Sequence, residues 1–250
     1  MLGHDEQTRR VLIVLPAFNE EHSIAKVIAE IRDHQPNADV LVVDDGSGDA
    51  TSRTARDAGA LVCRLPFNLG VGGAMRAGYR YAMHNDYDVV VQVDADGQHD
   101  PEYIEDLISG LSDADIVIGA RFAGVGTYPA RGPRRWAMRL LARVLSSLSG
   151  QRLCDVTSGF RAANRRAIRV FATHYPAEYL GDTVESLVIA LRTGCRVTQV
   201  PVEMRGRAGG RASQSTLRAT LYLVRAIVAL GLALVRRWPT TLEIPPPEVS

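Results

Sequence analysis

Asp94 and Asp96 stand one residue apart, directly after the apolar run Val89-Val90-Val91-Gln92-Val93. A continuous β-branched run of this kind reads as a buried strand of a parallel sheet. Open α/β sheets bind their ligands at the carboxyl ends of such strands. Two carboxylates this close repel each other unless something positive sits between them. Mg²⁺ takes hard oxygen ligands, commonly one or two carboxylates together with substrate phosphates. Asp94-Ala95-Asp96 therefore reads as a metal–diphosphate clamp. The competing reading is a solvated turn whose acids cap the helix that Pro101 begins, and Asp-x-Asp alone leaves both open.

Two further clusters bear on the choice. Pro16-Ala17-Phe18-Asn19-Glu20 follows the apolar run Val11-Leu12-Ile13-Val14-Leu15, and Asp44-Asp45-Gly46-Ser47-Gly48-Asp49 follows Val40-Leu41-Val42-Val43. Singly, each reads as turn and cap chemistry, with Asn19 as the N-cap of the next helix. Three such junctions on one sheet edge make a nucleotide pocket. Gly70, Gly72 and Gly73 resemble a phosphate loop, but their order is neither the dinucleotide fingerprint nor G-x-x-x-x-G-K-[ST]. They read as close backbone packing near the nucleotide, with no cofactor implied. No G-x-S-x-G segment or nucleophilic Cys/His pattern is present.

The elements that must hold these residues alternate. Strands are expected at 11–15, 40–43, 60–65, 89–93 and 116–119, with helices at 20–32, 49–58, 70–83 and 101–111. Alternation of this kind implies a mostly parallel, doubly wound α/β sheet. The second half is less regular. A Gly/Pro-rich loop is expected at 123–133, a basic amphipathic helix at 134–148 with Arg135, Arg139 and Arg143 in one stripe, a helix at 182–193 and a strand at 197–202. Residues 205–213 read as a Gly/Arg-rich loop. Residues 219–235 are largely apolar and interrupted by Arg225.

The 250 residues, 46% of them apolar, allow one large core or a core with an appendage. The net charge of +1 conceals an asymmetry: residues 1–120 carry 21 acidic and 9 basic side chains, the remainder 7 and 20. All the cations but Lys26 are arginine, whose planar fork suits phosphate. Nucleic acid is not an expected partner, since no binding motif accompanies the charge. Three widely spaced cysteines give no disulfide framework or Cys/His metal motif and point to a reducing cytoplasm. Met1 to Arg10 lacks the apolar core of a signal peptide.

Five motifs occur in order: Leu15-Pro16-Ala17-Phe18-Asn19-Glu20, Val43-Asp44-Asp45-Gly46-Ser47, Asn68-Leu69-Gly70, Asp94-Ala95-Asp96-Gly97-Gln98-His99 and Thr157-Ser158-Gly159-Phe160-Arg161. Together they resemble glycosyltransferase family 2, in its polyprenyl-phosphate, dolichol-phosphate mannose synthase-like branch, over residues 10–213. The resemblance implies a GT-A fold, a nucleotide-diphospho-sugar donor, Mg²⁺ or Mn²⁺ and an inverting displacement. It implies that Pro16, Phe18, Glu20, Asp45, Asp94 and Ala95 bind the nucleotide, with Asp45 accepting hydrogen bonds from the base. Asp94, Asp96 and Gln98 would hold the metal. Arg121 matches a basic residue near the acceptor phosphate, with Arg131, Arg134 and Arg135 nearby in the chain. Arg207 matches a late-loop arginine that closes over the diphosphate, and Gly209-Gly210-Arg211-Ala212-Ser213 resembles that loop's G-x-S ending with one residue extra. Asp182 matches the position of a catalytic acid in many members, although it can equally cap its helix, and Glu185 is a second candidate.

These assignments imply transfer of a hexose, of GDP-mannose or UDP-glucose type, to a polyprenyl phosphate, whose oxygen is already anionic. The alternative acceptor is a hydroxyl on a small metabolite or saccharide, with Asp182 as base. A reading from another class is an idle nucleotide-sugar-binding or membrane-interaction protein, against which the intact Asp94, Asp96, Gln98 and Arg207 argue. The expected organisation is a transferase domain at 1–213, an amphipathic C-terminal helix at 214–237 and a disordered tail at 238–250. A spanning helix needs about 20 apolar residues, so the helix is expected either at an anionic membrane surface, on the inner face of the cell membrane, or packed on its own domain or on a second subunit of a homodimer.

Overall fold

A computed structural model describes residues 9–121, 133–176, 182–205 and 231. Seven strands form one sheet: β1 (Val11–Ala17), β2 (Asp39–Asp44), β3 (Leu61–Arg64), β4 (Val89–Gln92), β5 (Ile116–Ala120), β6 (Arg161–Asn164) and β7 (Val197–Pro201), in the order β3-β2-β1-β4-β6-β5-β7. β1 pairs parallel with β2 and β4, β2 with β3, and β5 with β7. Among the described strands β6 alone runs antiparallel, between β4 and β5. The sheet is mostly parallel but mixed.

Side-chain alternation along the strands divides the core in two. Leu12, Val14, Leu41, Val43 and Val90 face α3 (Gly70–His84), α5 (Pro133–Ser149), α6 (Arg165–His174) and α7 (Asp182–Arg192). Ile13, Leu15, Val40, Val42, Val89 and Val91 face α1 (Ile24–His34), α2 (Thr51–Asp57) and α4 (Ile104–Ser109). Helices thus cover both faces of the sheet, and its carboxyl edge, where open α/β sheets bind their ligands, is formed by loops.

Several elements depart from expectation. β6 and α6 were not expected, because Arg161-Ala162-Ala163-Asn164 has none of the β-branched or aromatic residues that favour strands. Pairing on both edges makes it a strand, and Asn164 then caps α6 through the Ala167 amide at 3.1 Å. The first helix begins at Ile24, not at 20. Asn19 does not cap it: its φ of 57° is left-handed, and its Oδ1 instead accepts from the Gly48 amide at 2.9 Å. The helix expected at 101–111 is a 3₁₀ turn, α4 and a second 3₁₀ turn in succession. The C-terminal helix at 214–237 and the tail lie outside the described residues except for Gly231, which is helical and exposed.

Candidate active site

The first two βα junctions are laced together. The Asn19 amide donates to Ser47 Oγ at 2.9 Å, the Glu20 amide to Thr51 Oγ1 at 2.8 Å and the Ala50 amide to Glu21 Oε2 at 2.9 Å. Glu20 Oε2 accepts from Ser23 Oγ at 2.8 Å, which fixes its carboxylate at the start of α1. Phe18 is left 46% exposed at this edge, and Pro16 lies in β1 opposite Val43. The buried Asp44 accepts from the Ser47 amide and the Ser52 hydroxyl, so it organises the turn. On the far side of this turn a cleft of about 500 Å³ is lined by Gly48, Asp49, Ala50, Ser52, Arg53, Arg56 and Arg64. That cleft lies toward β3, away from Asp94.

Asp45 is buried and caps α3, accepting from the Leu69 amide at 2.7 Å and the Gly70 amide at 2.8 Å. Burial raises its carboxyl above the ordinary value; the two amides pull it back, and the charge of Asp44 pushes it up again. Gly46 (φ 76°) makes this possible: a Cβ there would lie 2.8 Å from the Phe67 carbonyl carbon. The amides of the Gly70 loop therefore serve a protein carboxylate.

At the carboxyl end of β4 the loop is built around His99. Its Nδ1 accepts from the Asp94 amide at 3.0 Å, which leaves the neutral ring's proton on Nε2, 3.5 Å from Asp94 Oδ2. The ring is 3% exposed and stacks on Phe160 with centroids 4.7 Å apart. Asp94 keeps 39% of its side-chain surface. Asp96 is buried and accepts from the Gln98 amide at 3.0 Å. Ala95 points into the core, so anything it offers a ligand comes from its backbone. Among the described residues no group of three or more His, Cys, Asp or Glu side chains could hold a metal. The pair of hard oxygen donors nevertheless fits Mg²⁺ or Mn²⁺ that takes its remaining ligands from a diphosphate.

A third loop closes on the second. Gly159 lies against the Asp94 carboxylate: a Cβ there would be 3.4 Å from Oδ1 and 3.1 Å from Gln92 Nε2. Arg121, at the end of β5, grips the fully buried Asp155 through Nε to Oδ2 at 2.6 Å and Nη2 to Oδ1 at 3.0 Å, and reaches Thr157 Oγ1 at 3.0 Å. Arg161 is 1% exposed and donates to the Ser158 carbonyl at 2.7 Å, the Thr183 carbonyl at 3.1 Å and Ser186 Oγ at 3.0 Å. Because Arg161 is in register with Gln92, it ties the first turn of α7 to the base of the Asp94 loop.

Pro16, Phe18, Glu20, Asp45, Asp94, Asp96 and Gln98 thus stand on one sheet edge, as the motif order implied. Arg121 stands beside them with its fork on Asp155. Asp182 begins α7, and Arg134 and Arg135 lie in α5, but their side chains are outside the described part; Arg131 and Arg207 lie wholly outside it. Asp155, Gln92 and Arg205 belong to none of the motifs, and His99, Gly159 and Arg161 stand inside motifs that imply no separate role for them. Arg161 was signalled as the last residue of the Thr157-Ser158-Gly159-Phe160-Arg161 motif, but nothing in that motif tells that it is buried under α7.

Residues 12–171 match the family described as Glycosyl transferase family 2. The chain belongs to that family. It is 34% identical over 216 residues to the undecaprenyl-phosphate mannosyltransferase of Micrococcus luteus, covering 82% of this chain and 88% of the relative. It is 28% identical to the polyprenol monophosphomannose synthase of Mycolicibacterium smegmatis, over 87% of this chain and 86% of that one. The glucosyl-3-phosphoglycerate synthase of Mycobacterium tuberculosis, solved with Mn²⁺, UDP and phosphoglyceric acid, superimposes with a TM-score of 0.68 at 21% identity, covering 92% of this chain and 80% of that chain. At that identity the likeness speaks for the GT-A fold alone. This family 2 protein is a glycosyltransferase enzyme, with its motifs gathered at the carboxyl edge of a GT-A sheet.

Proposed function

We propose that this glycosyltransferase moves a hexose from a nucleoside-diphospho-sugar to a polyprenyl phosphate, with Mg²⁺ or Mn²⁺ and with inversion at the anomeric carbon. The observation that supports it most is the similarity, along more than four fifths of the chain, to relatives named for polyprenyl-phosphate mannose transfer. The donor's base would lie at Pro16, Phe18, Glu20 and Asp45, whose carboxylate has lone pairs beyond the two that α3 uses. The ends of β2 and β4 flank β1 and are roughly 10 Å apart at ordinary strand spacing. A nucleoside bridges such a gap with its diphosphate at Asp94.

Asp94, Asp96 and the Gln98 side chain would hold the metal. When bound, it would neutralise the charge that grows on the departing diphosphate. His99 keeps Asp94 oriented for this, and Arg207 would add a charge-assisted contact to the diphosphate. Arg121, Arg131, Arg134 and Arg135 would hold the acceptor phosphate in line. One acceptor phosphate oxygen forms the new bond to the anomeric carbon while the bond to the donor diphosphate breaks. The nucleoside diphosphate leaves with the electron pair, and no proton needs to be removed. An acceptor in lipid would bring the enzyme to the cytoplasmic membrane surface, with residues 214–237 lying in the headgroup layer. No helix among the described residues is long and apolar enough to cross a membrane.

A second reading, a hydroxyl acceptor with Asp182 as base, is favoured by one observation. The Thr183 carbonyl is bound to Arg161, which brings the first turn of α7 to the Gln92 side of the site. The donor half of the proposal is tested by calorimetry with UDP and GDP, each with and without Mn²⁺. Metal-dependent binding of one of them is expected; if neither binds, the proposal fails.

A further inference from the structure

The chain returns to the metal loop after β7. Met204 pairs antiparallel with His99, and the Arg205 amide donates to the Gln98 carbonyl at 3.0 Å. The Arg205 guanidinium then takes Asp100 in a two-pronged grip, Nε to Oδ2 at 2.8 Å and Nη2 to Oδ1 at 2.7 Å. Its third nitrogen, Nη1, reaches Glu30 of α1 at 2.8 Å. Asp100 is also the cap of the 3₁₀ turn that follows, accepting from the Glu102 amide at 3.1 Å. The loop that begins at Asp94 is therefore fixed at its start by His99 and at its far end by Arg205. The Arg205 side chain is 40% exposed, and ion pairs of that kind add little to stability. What a bidentate fork does add is direction, because both of its bonds must be satisfied in one plane.

We propose that Arg205 is a positioning residue for the metal site. Through its fork on the Asp100 carboxylate, next to the backbone bond from residue 205 to the Gln98 carbonyl, it holds Asp96 and Gln98 in the arrangement that takes a divalent cation together with the donor's diphosphate. This rests on the reading that Asp96 and Gln98 are, with Asp94, the metal's protein ligands. Arg205 itself touches no reacting atom. Lysine cannot replace it, since an ammonium has no planar fork to match both oxygens of Asp100. Glu30, on the outer arm, fastens the strap to α1 and plays no part in shaping the loop.

The test is Mn²⁺ binding to the full chain in the presence of UDP and, separately, of GDP. It compares wild type with Arg205→Ala, Arg205→Lys, Asp100→Asn, the double variant Arg205→Ala/Asp100→Asn, and Glu30→Ala, each checked for fold by circular dichroism. Residues that orient metal ligands typically matter by 10-fold or more, so Arg205→Ala and Asp100→Asn should each weaken Mn²⁺ binding about 10-fold. The double variant should lose no more than either single, because both remove the same contact. Arg205→Lys should not restore affinity, and Glu30→Ala should leave it unchanged. Wild-type affinity in a folded Arg205→Ala or Asp100→Asn protein overturns the proposal. So does an equal loss in Glu30→Ala, which would make Arg205 a general docking contact. Absence of Mn²⁺ binding by the wild type with either nucleotide would instead overturn the metal-ligand reading, and the role of Arg205 with it.

Discussion

Gly159 stands against Asp94: a Cβ on it would touch Oδ1 at 3.4 Å, an ordinary contact, and press on Gln92 Nε2 at 3.1 Å. The backbone of one loop thus forms a wall for the carboxylate of another. Gly159→Ala should displace the Gln92 amide by a few tenths of an ångström while meeting Asp94 in ordinary contact, and Gly159→Val should crowd both. Donor KM should rise in that order, while the melting temperature moves by only a few degrees. Donor titration and a thermal scan check this, and an unchanged KM in both variants would sink it.

Asp96 sits in a loop, where its carboxylate accepts from the Gln98 amide at 3.0 Å. Losing a hydrogen bond to a charged group costs about 1.5 to 3 kcal/mol, within the roughly 5 to 15 kcal/mol by which a folded domain is stable. Asp96→Ala should therefore stay folded and lose its metal-dependent turnover. Turnover that persists, and still responds to Mn²⁺, would remove Asp96 from the metal site.

Asp155 is the opposite case. It is fully buried and bound bidentately by Arg121. Removing one partner of such a pair typically costs on the order of 3 kcal/mol, since the other charge is left without its counterpart. For a chain of this size that corresponds to a melting point lower by roughly 6 to 12 °C. Differential scanning calorimetry of Asp155→Ala measures it; a shift under about 2 °C would mean that the pair is not what holds this loop.

The three cysteines should separate by reactivity. Cys154 is exposed, Cys63 half-buried and Cys195 buried. Burial raises the thiols of Cys63 and Cys195; at Cys195 the Asp115 charge raises it further, against the Thr193 hydrogen bond and the Arg166 charge. A raised thiol has less of the reactive thiolate at a given pH. Alkylation of the native protein at pH 8, followed by peptide mass spectrometry, should mark Cys154 first and Cys195 last. Labelling of Cys63 and Cys195 should catch up only as the pH rises further. Early modification of Cys195 would contradict the packing around it.

Asp182→Asn distinguishes the two acceptor chemistries. A phosphate oxygen needs no base, so transfer to a lipid phosphate should fall by a small factor. Transfer to a hydroxyl should fall by 10²-fold or more, the usual scale of general-base catalysis. Initial rates of the variant with each acceptor class read the difference.

The strands that carry the motifs were legible because β-branched runs end abruptly in acids, as Val89 to Val93 do before Asp94. The residues that hold those acids were not. His99 is near Asp94 in sequence, but its stacking on Phe160 depends on a strand whose Arg-Ala-Ala-Asn composition gives no β signal. Arg205 meets Asp100 across 105 positions and Glu30 across 175, separations that no local pattern encodes. Asp45 and Arg121 were read by their motifs as facing ligands. Their geometry adds partners inside the protein, the amides of α3 for one and Asp155 for the other. Charge type was visible in the chain, but what each charge touches depended on the fold.

The most direct measurement is transfer itself. Radiolabelled GDP-mannose, UDP-glucose and UDP-N-acetylglucosamine are each incubated with polyprenyl phosphate, the protein and Mg²⁺ or Mn²⁺, and the label is then partitioned into organic solvent. Label from one of the hexose donors should enter the organic phase, and chelation of the metal should abolish this. Label that stays in water with all three donors, while a hydroxyl acceptor becomes glycosylated, would contradict a lipid-phosphate transferase.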